Sequence, residues 1–223
     1  MKNKKLAKIF TVAMALVLVA ACSVGATLAY LTAKADTVTN TFVAGKIIID
    51  EDDFVLQEHQ AVAALDQDQK PKGTGFYALN STLVQTNEYV VVPGVDLPKD
   101  PFVKVTPAAN AYVYIAVSST LPEGMSYKID GTQWTELKNG DEQVKNAQGD
   151  LIYTAKAGVL APAVTQTLNI LDGKTVTVTG QFNPSKLEVS PETAKKALTF
   201  NAYLVQAGSF ENALAAWQGA NFQ

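Results

Sequence analysis

The sequence predicts a mainly β protein, an antiparallel sandwich or barrel with a few short helices. Three observations carry that prediction. Eight or nine short runs are rich in β-branched and aromatic residues, turn formers separate them, and no regular strand–helix alternation appears. With 223 residues, 48% of them hydrophobic, the chain has enough apolar surface for one generous core, so a single domain is expected.

Taken in order, residues 36–50 are rich in Thr, Val and Ile around Gly45 and read as an extended segment, then a strand over Lys46–Asp50. The acids Asp50–Asp53 read as a solvated turn, because the run lacks the alternation and central glycine of a calcium loop. Residues 54–85 read as a loop excursion, with helical spacing through Val55, His59, Val62 and Leu65 suggesting a short helix inside it. Tyr89–Val92 reads as a strand ending at the turn dipeptide Pro93-Gly94. Phe102–Thr106 alternates. So does Tyr112–Val117, which puts Val113, Ile115 and Val117 on one face and Tyr112 and Tyr114 on the other.

Tyr127–Trp134 reads as a hairpin closed by Asp130-Gly131, and Leu151–Ala155 as a further strand. Thr175–Thr179 has strict period two with Val176 and Val178 facing the core. Pro191–Lys196 suggests a helical turn capped by Ser190. Ala197–Gln206 is the last predicted strand, turning Leu198, Phe200, Ala202 and Leu204 inward. Ser209 is the expected cap of a closing helix, Phe210–Trp217, which docks through its two terminal aromatics.

The amino terminus points to export. Residues 1–29 begin with a basic segment, Lys2, Lys4, Lys5 and Lys8, and no charge follows until Lys34. The apolar stretch Thr11–Cys22 is an h-region, and Thr27-Leu28-Ala29 before Tyr30 offers a small-residue cleavage junction. Two alternatives stand beside cleavage at Ala29. Val19-Ala20-Ala21-Cys22 has the form of a lipobox, which would leave Cys22 acylated. The uncharged run of 25 residues is also long enough for a retained anchor, although its second half is small and hydroxylated. On the cleavage reading, only the uncleaved precursor touches the membrane. The expected mature domain, residues 30–223, has an extended arm over 30–45 and no cysteine, which suits a Gram-positive exterior protein stabilised by core burial alone.

Val24–Asp50 resembles the start of proteins exported through the SipW type of signal peptidase, among them the TasA and camelysin biofilm-matrix proteins and clostridial relatives. The features that carry the resemblance are the Gly-Thr-rich late region, the step Ala29-Tyr30-Leu31-Thr32, and the segment Phe42-Val43-Ala44-Gly45-Lys46-Ile47-Ile48-Ile49. Gly94–Val117 and Ala202–Trp217 are similar to later segments of the same family. The resemblance implies a jelly-roll sandwich with helical decorations, a SipW-type peptidase as export partner, and secretion to the cell surface or matrix. It also implies self-association or matrix partners. Thr37, Val38, Thr39, Asn40, Thr41, Phe42 and Val43, lightly charged and extended, then form the expected strand-donor segment, with pairing inside the same sandwich as the alternative.

Composition argues against several chemistries. All 18 basic residues are lysine, so the bidentate fork used for phosphate and base recognition is missing. Taking the four export-segment lysines from a formal charge of −3 leaves −7, which repels nucleic acid. One histidine, His59, expected as a polar loop residue, is too few for a usual catalytic zinc site, and no HExxH, GxSxG, P-loop or dinucleotide fingerprint occurs. Cys22 lies in the export segment. No catalytic, metal or cofactor-binding residue is therefore predicted, and a carboxylate pair is left open. The expected function is a secreted, non-enzymatic structural protein, possessing two rivals: a camelysin-like protease and a surface ligand-binding module stacking sugars on Tyr112 and Tyr114.

Overall fold

The computed structural model describes residues 32–35, 51–64, 76–183, 185, 197–208, 210–220 and 222. Its strands run in the order β1 (Thr32–Ala35), β2 (Phe54–Ala63), β3 (Tyr77–Val84), β4 (Leu97–Pro98), β5 (Phe102–Val105), β6 (Ala111–Ser119) and β7 (Met125–Ser126). They continue with β8 (Trp134–Glu136), β9 (Lys138–Asn139), β10 (Glu142–Gln143), β11 (Leu151–Ala155), β12 (Gln166–Asn169), β13 (Thr175–Val178) and β14 (Leu198–Gln206). Helix α1 (Ala213–Ala220) closes the chain. Among the described residues no helix is long and apolar enough to cross a membrane.

A five-stranded sheet, β1-β14-β6-β11-β8, forms one layer of a β-sandwich. The other layer combines the four-stranded sheet β12-β5-β2-β3 with the three-stranded sheet β4-β13-β7. Every pairing between these strands is antiparallel. Apolar residues of both layers meet in one core that includes Phe54, Val103, Val113, Ile115, Trp134, Val176 and Leu204. The Trp134 indole N–H donates to the Asn169 carbonyl at 2.8 Å, so the largest core side chain keeps its one polar group paired.

Strand β6 is the hub. It pairs with β14 from Leu198↔Ser119 to Gln206↔Ala111 and with β11 on its other side. The predicted alternation holds: Val113, Ile115 and Val117 enter the core, while Tyr112, Tyr114 and Ala116 point the other way. That second face is covered. Trp217 of α1 lies 5.2 Å from the Tyr114 ring and 5.2 Å from Tyr203, and Phe222 stacks beside it at 5.0 Å. The Tyr114 hydroxyl donates to the Ala213 carbonyl at 2.7 Å, fixing the start of the helix. Gly219 leaves room for the Phe210 ring, which a Cβ at that position would strike.

Other expectations hold as well. Pro93-Gly94 forms a turn in which Val95 N–H donates to Val92 O at 3.1 Å and Gly94 takes φ +77°. Strands β5 and β13 fall where alternation places them and β11 falls on the further strand expected over Leu151–Ala155, with Val176 and Val178 buried. In β14, Phe200, Ala202 and Leu204 are buried in the core and Leu198 packs against it.

Four expectations are corrected. Residues 54–63 are a strand, not a helix, and with β3 they replace most of the expected loop over 54–85. Phe54, Leu56 and Glu58 point inward together, and a polar residue in that series hides the period of two. Tyr89–Val92 forms no strand: the Tyr89 ring packs on the core and its hydroxyl donates to Pro98 O at 2.6 Å, while Val90 is 73% exposed. A run of strand-forming residues here serves side-chain anchoring, not ladder pairing.

Asp130 does open a turn, its carbonyl accepting from the N–H groups of Gln133 and Trp134, but no hairpin forms. Gly131 lacks the positive φ that a tight hairpin turn requires, and the flanks pair elsewhere, Ser126 with Thr177 and Trp134 with Ala155. Finally, α1 begins at Ala213, not Phe210, with the Asn212 side chain accepting from Ala215 N–H at 2.9 Å as its cap. Ser209, the expected cap, lies outside the described residues, as do Lys46–Asp50 and Ser190–Lys196.

Candidate functional site

Cys22, the junction Thr27–Tyr30 and the donor segment Thr37–Val43 lie outside the described residues. What is described of the amino-terminal region is β1. It adds to the outer edge of β14 in the register Thr32↔Val205, Ala33↔Leu204, Lys34↔Tyr203 and Ala35↔Ala202. Among the described residues this strand is the last one on its side of the sheet, and it lies along the second half of β14.

The proposed sugar-stacking face is corrected. Tyr112 and Tyr114 are 7% and 0% exposed beneath α1, so neither ring is free for a ligand.

His59 is also corrected: it sits in β2, not in a loop, and it has a charged partner. Its Nδ1 lies 2.7 Å from Asp100 Oδ2, and its backbone N–H donates to Asp100 Oδ1 at 3.0 Å. The neighbouring Lys99 ammonium donates to Glu58 Oε2 at 2.8 Å. Glu58 and Asp100 are the buried acids of the described residues, each 4% exposed. Burial, with the Glu58 and Asp100 charges adding to it, pushes the Tyr89 phenol above its ordinary range, so Tyr89 remains a hydrogen-bond donor. The half-exposed imidazole, tilted on Phe102 with ring centres 5.8 Å apart, is oriented by a buried carboxylate.

This cluster pins the crossing between the two sheets of one layer, since residues 99–101 link β4 to β5. Its paired residues stand 41 positions apart, a separation no local motif records. An inward-facing acid in a strand was the one signal available. Among the described residues no group of three or more His, Cys, Asp or Glu side chains is arranged to hold a metal ion.

A third feature is an open groove of about 260 Å³ on the outer side of β7 and β13. Ser126, Tyr127, Lys128, Asp172, Gly173 and Thr177 line most of it. The Lys128 ammonium donates to Asp172 Oδ2 at 2.6 Å, which raises the lysine pKa and lowers that of the carboxyl. Comparison with family models, curated proteins and solved structures found no match for this chain.

Proposed function

We propose that the chain is a secreted, non-enzymatic structural protein of a bacterial cell surface or biofilm matrix, assembling into fibres by amino-terminal strand addition. One observation carries the reading: β1, two positions beyond the expected cut before Tyr30, is an edge strand joined to the sheet through four residue pairs on β14. An edge position of this kind suits exchange, in which the arm of a neighbouring copy takes the same positions of β14. The basic and apolar amino terminus and the resemblance of Val24–Asp50 to SipW-dependent proteins support the export half of the proposal.

Deleting residues 30–41 tests assembly. Filaments in negative-stain microscopy are expected from the intact protein and not from the deletion, whose monomer keeps its β-rich circular dichroism. Filaments that persist after deletion overturn strand addition. Amino-terminal sequencing of the secreted form separates starts at Tyr30, Cys22 and Met1.

A second reading, a protease, is favoured by the His59–Asp100 pair, which has the geometry of an oriented general base. Casein cleavage by the purified protein, lost in His59→Ala, would establish it; cleavage unchanged by that substitution would remove the pair from the chemistry.

A further inference from the structure

We propose that the uncharged end of the sandwich, formed by the β5–β6 and β11–β12 loops, rests on the surface of a lipid bilayer. For the side from which the bilayer approaches, the inference rests on the export half of the reading above; strand addition plays no part in it.

The two loops form one tip. Ala163 N–H donates to Pro107 O at 2.8 Å, the Thr106 and Thr165 hydroxyls lie 2.9 Å apart, and Ala111 and Leu160 exchange both backbone hydrogen bonds. Leu160 is buried, but its neighbours are not. Ala108, Ala161, Pro162 and Ala163 are exposed, and Val159 and Val164 are 43% and 49% exposed. No charged residue occurs between Lys104 and Glu123 or between Lys156 and Asp172, so neither loop carries an ion. Single exposed apolar residues are ordinary on a protein surface, whereas a continuous apolar end without charge marks a contact surface. The other end of the β6–β14 ladder differs: Glu123 follows β6 closely, and Lys195-Lys196 comes just before β14 in sequence.

The course of the chain says what covers the tip. Gln206 pairs with Ala111, where β6 leaves the β5–β6 loop, and the neighbouring Val205 pairs with Thr32. Strand β1 therefore starts at the tip and runs away from it. In sequence, Thr32 stands three positions after Ala29, the end of an apolar stretch with no charge after Lys8. Three residues span at most about 10 Å. While that stretch is held in a membrane, in the uncleaved precursor or in an anchored form, the tip is brought against the same bilayer. Charged loops would have to shed water at the headgroup boundary; these loops place Val159 and Val164 there instead. Thr106 N–H donates to Asp53 O, so the acidic run ending at Asp53 reaches the margin of the tip, which favours a zwitterionic surface over an anionic one.

The full chain reconstituted in phosphatidylcholine vesicles tests the inference. In a Cys22→Ser background, Val164→Cys at the tip and Ser119→Cys at the far end each carry one environment-sensitive fluorophore. Quenching by brominated phosphatidylcholine is expected to be at least about threefold stronger at 164 than at 119, because the nine residues of β6 hold the two ends about 27 Å apart. Adding Val159→Asp and Ala161→Asp, both at exposed positions, should cut quenching at 164 by about half or more with unchanged circular dichroism. Equal quenching at the two positions in vesicles that carry the protein, or quenching at 164 indifferent to the two aspartates, overturns the inference while leaving membrane attachment intact. Failure of the chain to float with the vesicles overturns both this inference and the export reading, while filament formation stays the test of strand addition. A tip fluorophore already shielded before vesicles are added, in a protein that sediments as a dimer, assigns the tip to a second copy and overturns the bilayer.

Discussion

On the outer side of the five-stranded sheet, Tyr112, Tyr114, Tyr203 and Val205 are buried under α1 and Phe222. On the opposite layer, the outward residues Val55, Gln57, His59 and Lys104 remain partly exposed, and the buried charges gather at one corner, where β2 meets the β4–β5 link. One layer is held by apolar burial on both its faces. The other keeps one wet face and spends its few buried ions on fixing where the chain crosses between sheets. The difference teaches that alternation tells which residues share a face, but not whether something covers that face.

The largest effect should come from uncovering the sealed side. Trp217→Ala removes an aromatic side chain that meets Tyr114, Tyr203 and Phe222, and should cost about 4 kcal/mol in denaturant unfolding. The near-ultraviolet circular dichroism of the tyrosine cluster should collapse with it. A loss below about 1 kcal/mol would mean that α1 is an ornament and that the two layers do not differ in this way.

A somewhat smaller effect is expected at the ionic corner. Lys99→Met leaves Glu58 buried without its cation and should cost about 3 kcal/mol, because an uncompensated buried charge is more costly than the pair itself. Adding Glu58→Leu should restore most of that loss. Should the double variant stay as unstable as the single one, the pair contributes net stability and the contrast with the apolar layer weakens.

The smallest effect is a pH response shared by both layers. Burial raises the folded pKa of Tyr89 in one layer and Tyr114 in the other above the usual value of 10.0. Their contribution is fully present below that value and is lost as pH rises beyond it, because the unfolded chain ionises first. Stability should therefore fall above about pH 10, by about 1.4 kcal/mol per pH unit for each tyrosine. Tyr114→Phe should flatten one share of that slope. A slope unchanged in Tyr114→Phe would show that Tyr114 ionises as easily folded as unfolded.

Much of the sandwich was legible from local pattern. Val113, Ile115 and Val117, the two valines of β13 and the inward set of β14 obeyed period two because their partners are apolar on the core side. The docking role of Trp217 was legible as well, whereas Phe210 packs against the same cluster from before the helix that was expected to carry it. Legibility failed where long-range contacts overrode local chemistry. Glu58 faces inward to meet Lys99, so β2 does not look like a strand. The turn at Asp130 was recognised, but Ser126 and Trp134 find partners at Thr177 and Ala155, which no local cue reveals. His59 appeared solitary because Asp100 is distant in sequence.

The register of β1 on β14 has a kinetic consequence. Residues 32–35 rest on residues 202–205, so strands far apart in sequence lie side by side. Strand β14 is also the long partner of β6, and no earlier strand takes its place beside that hub. Nucleation among β2, β3 and β5 can proceed from nearby sequence, but the β14–β6 ladder must wait until residue 206 has emerged from the ribosome. A polypeptide wired in this way leaves that edge of β6 unpaired until its last described strand is available.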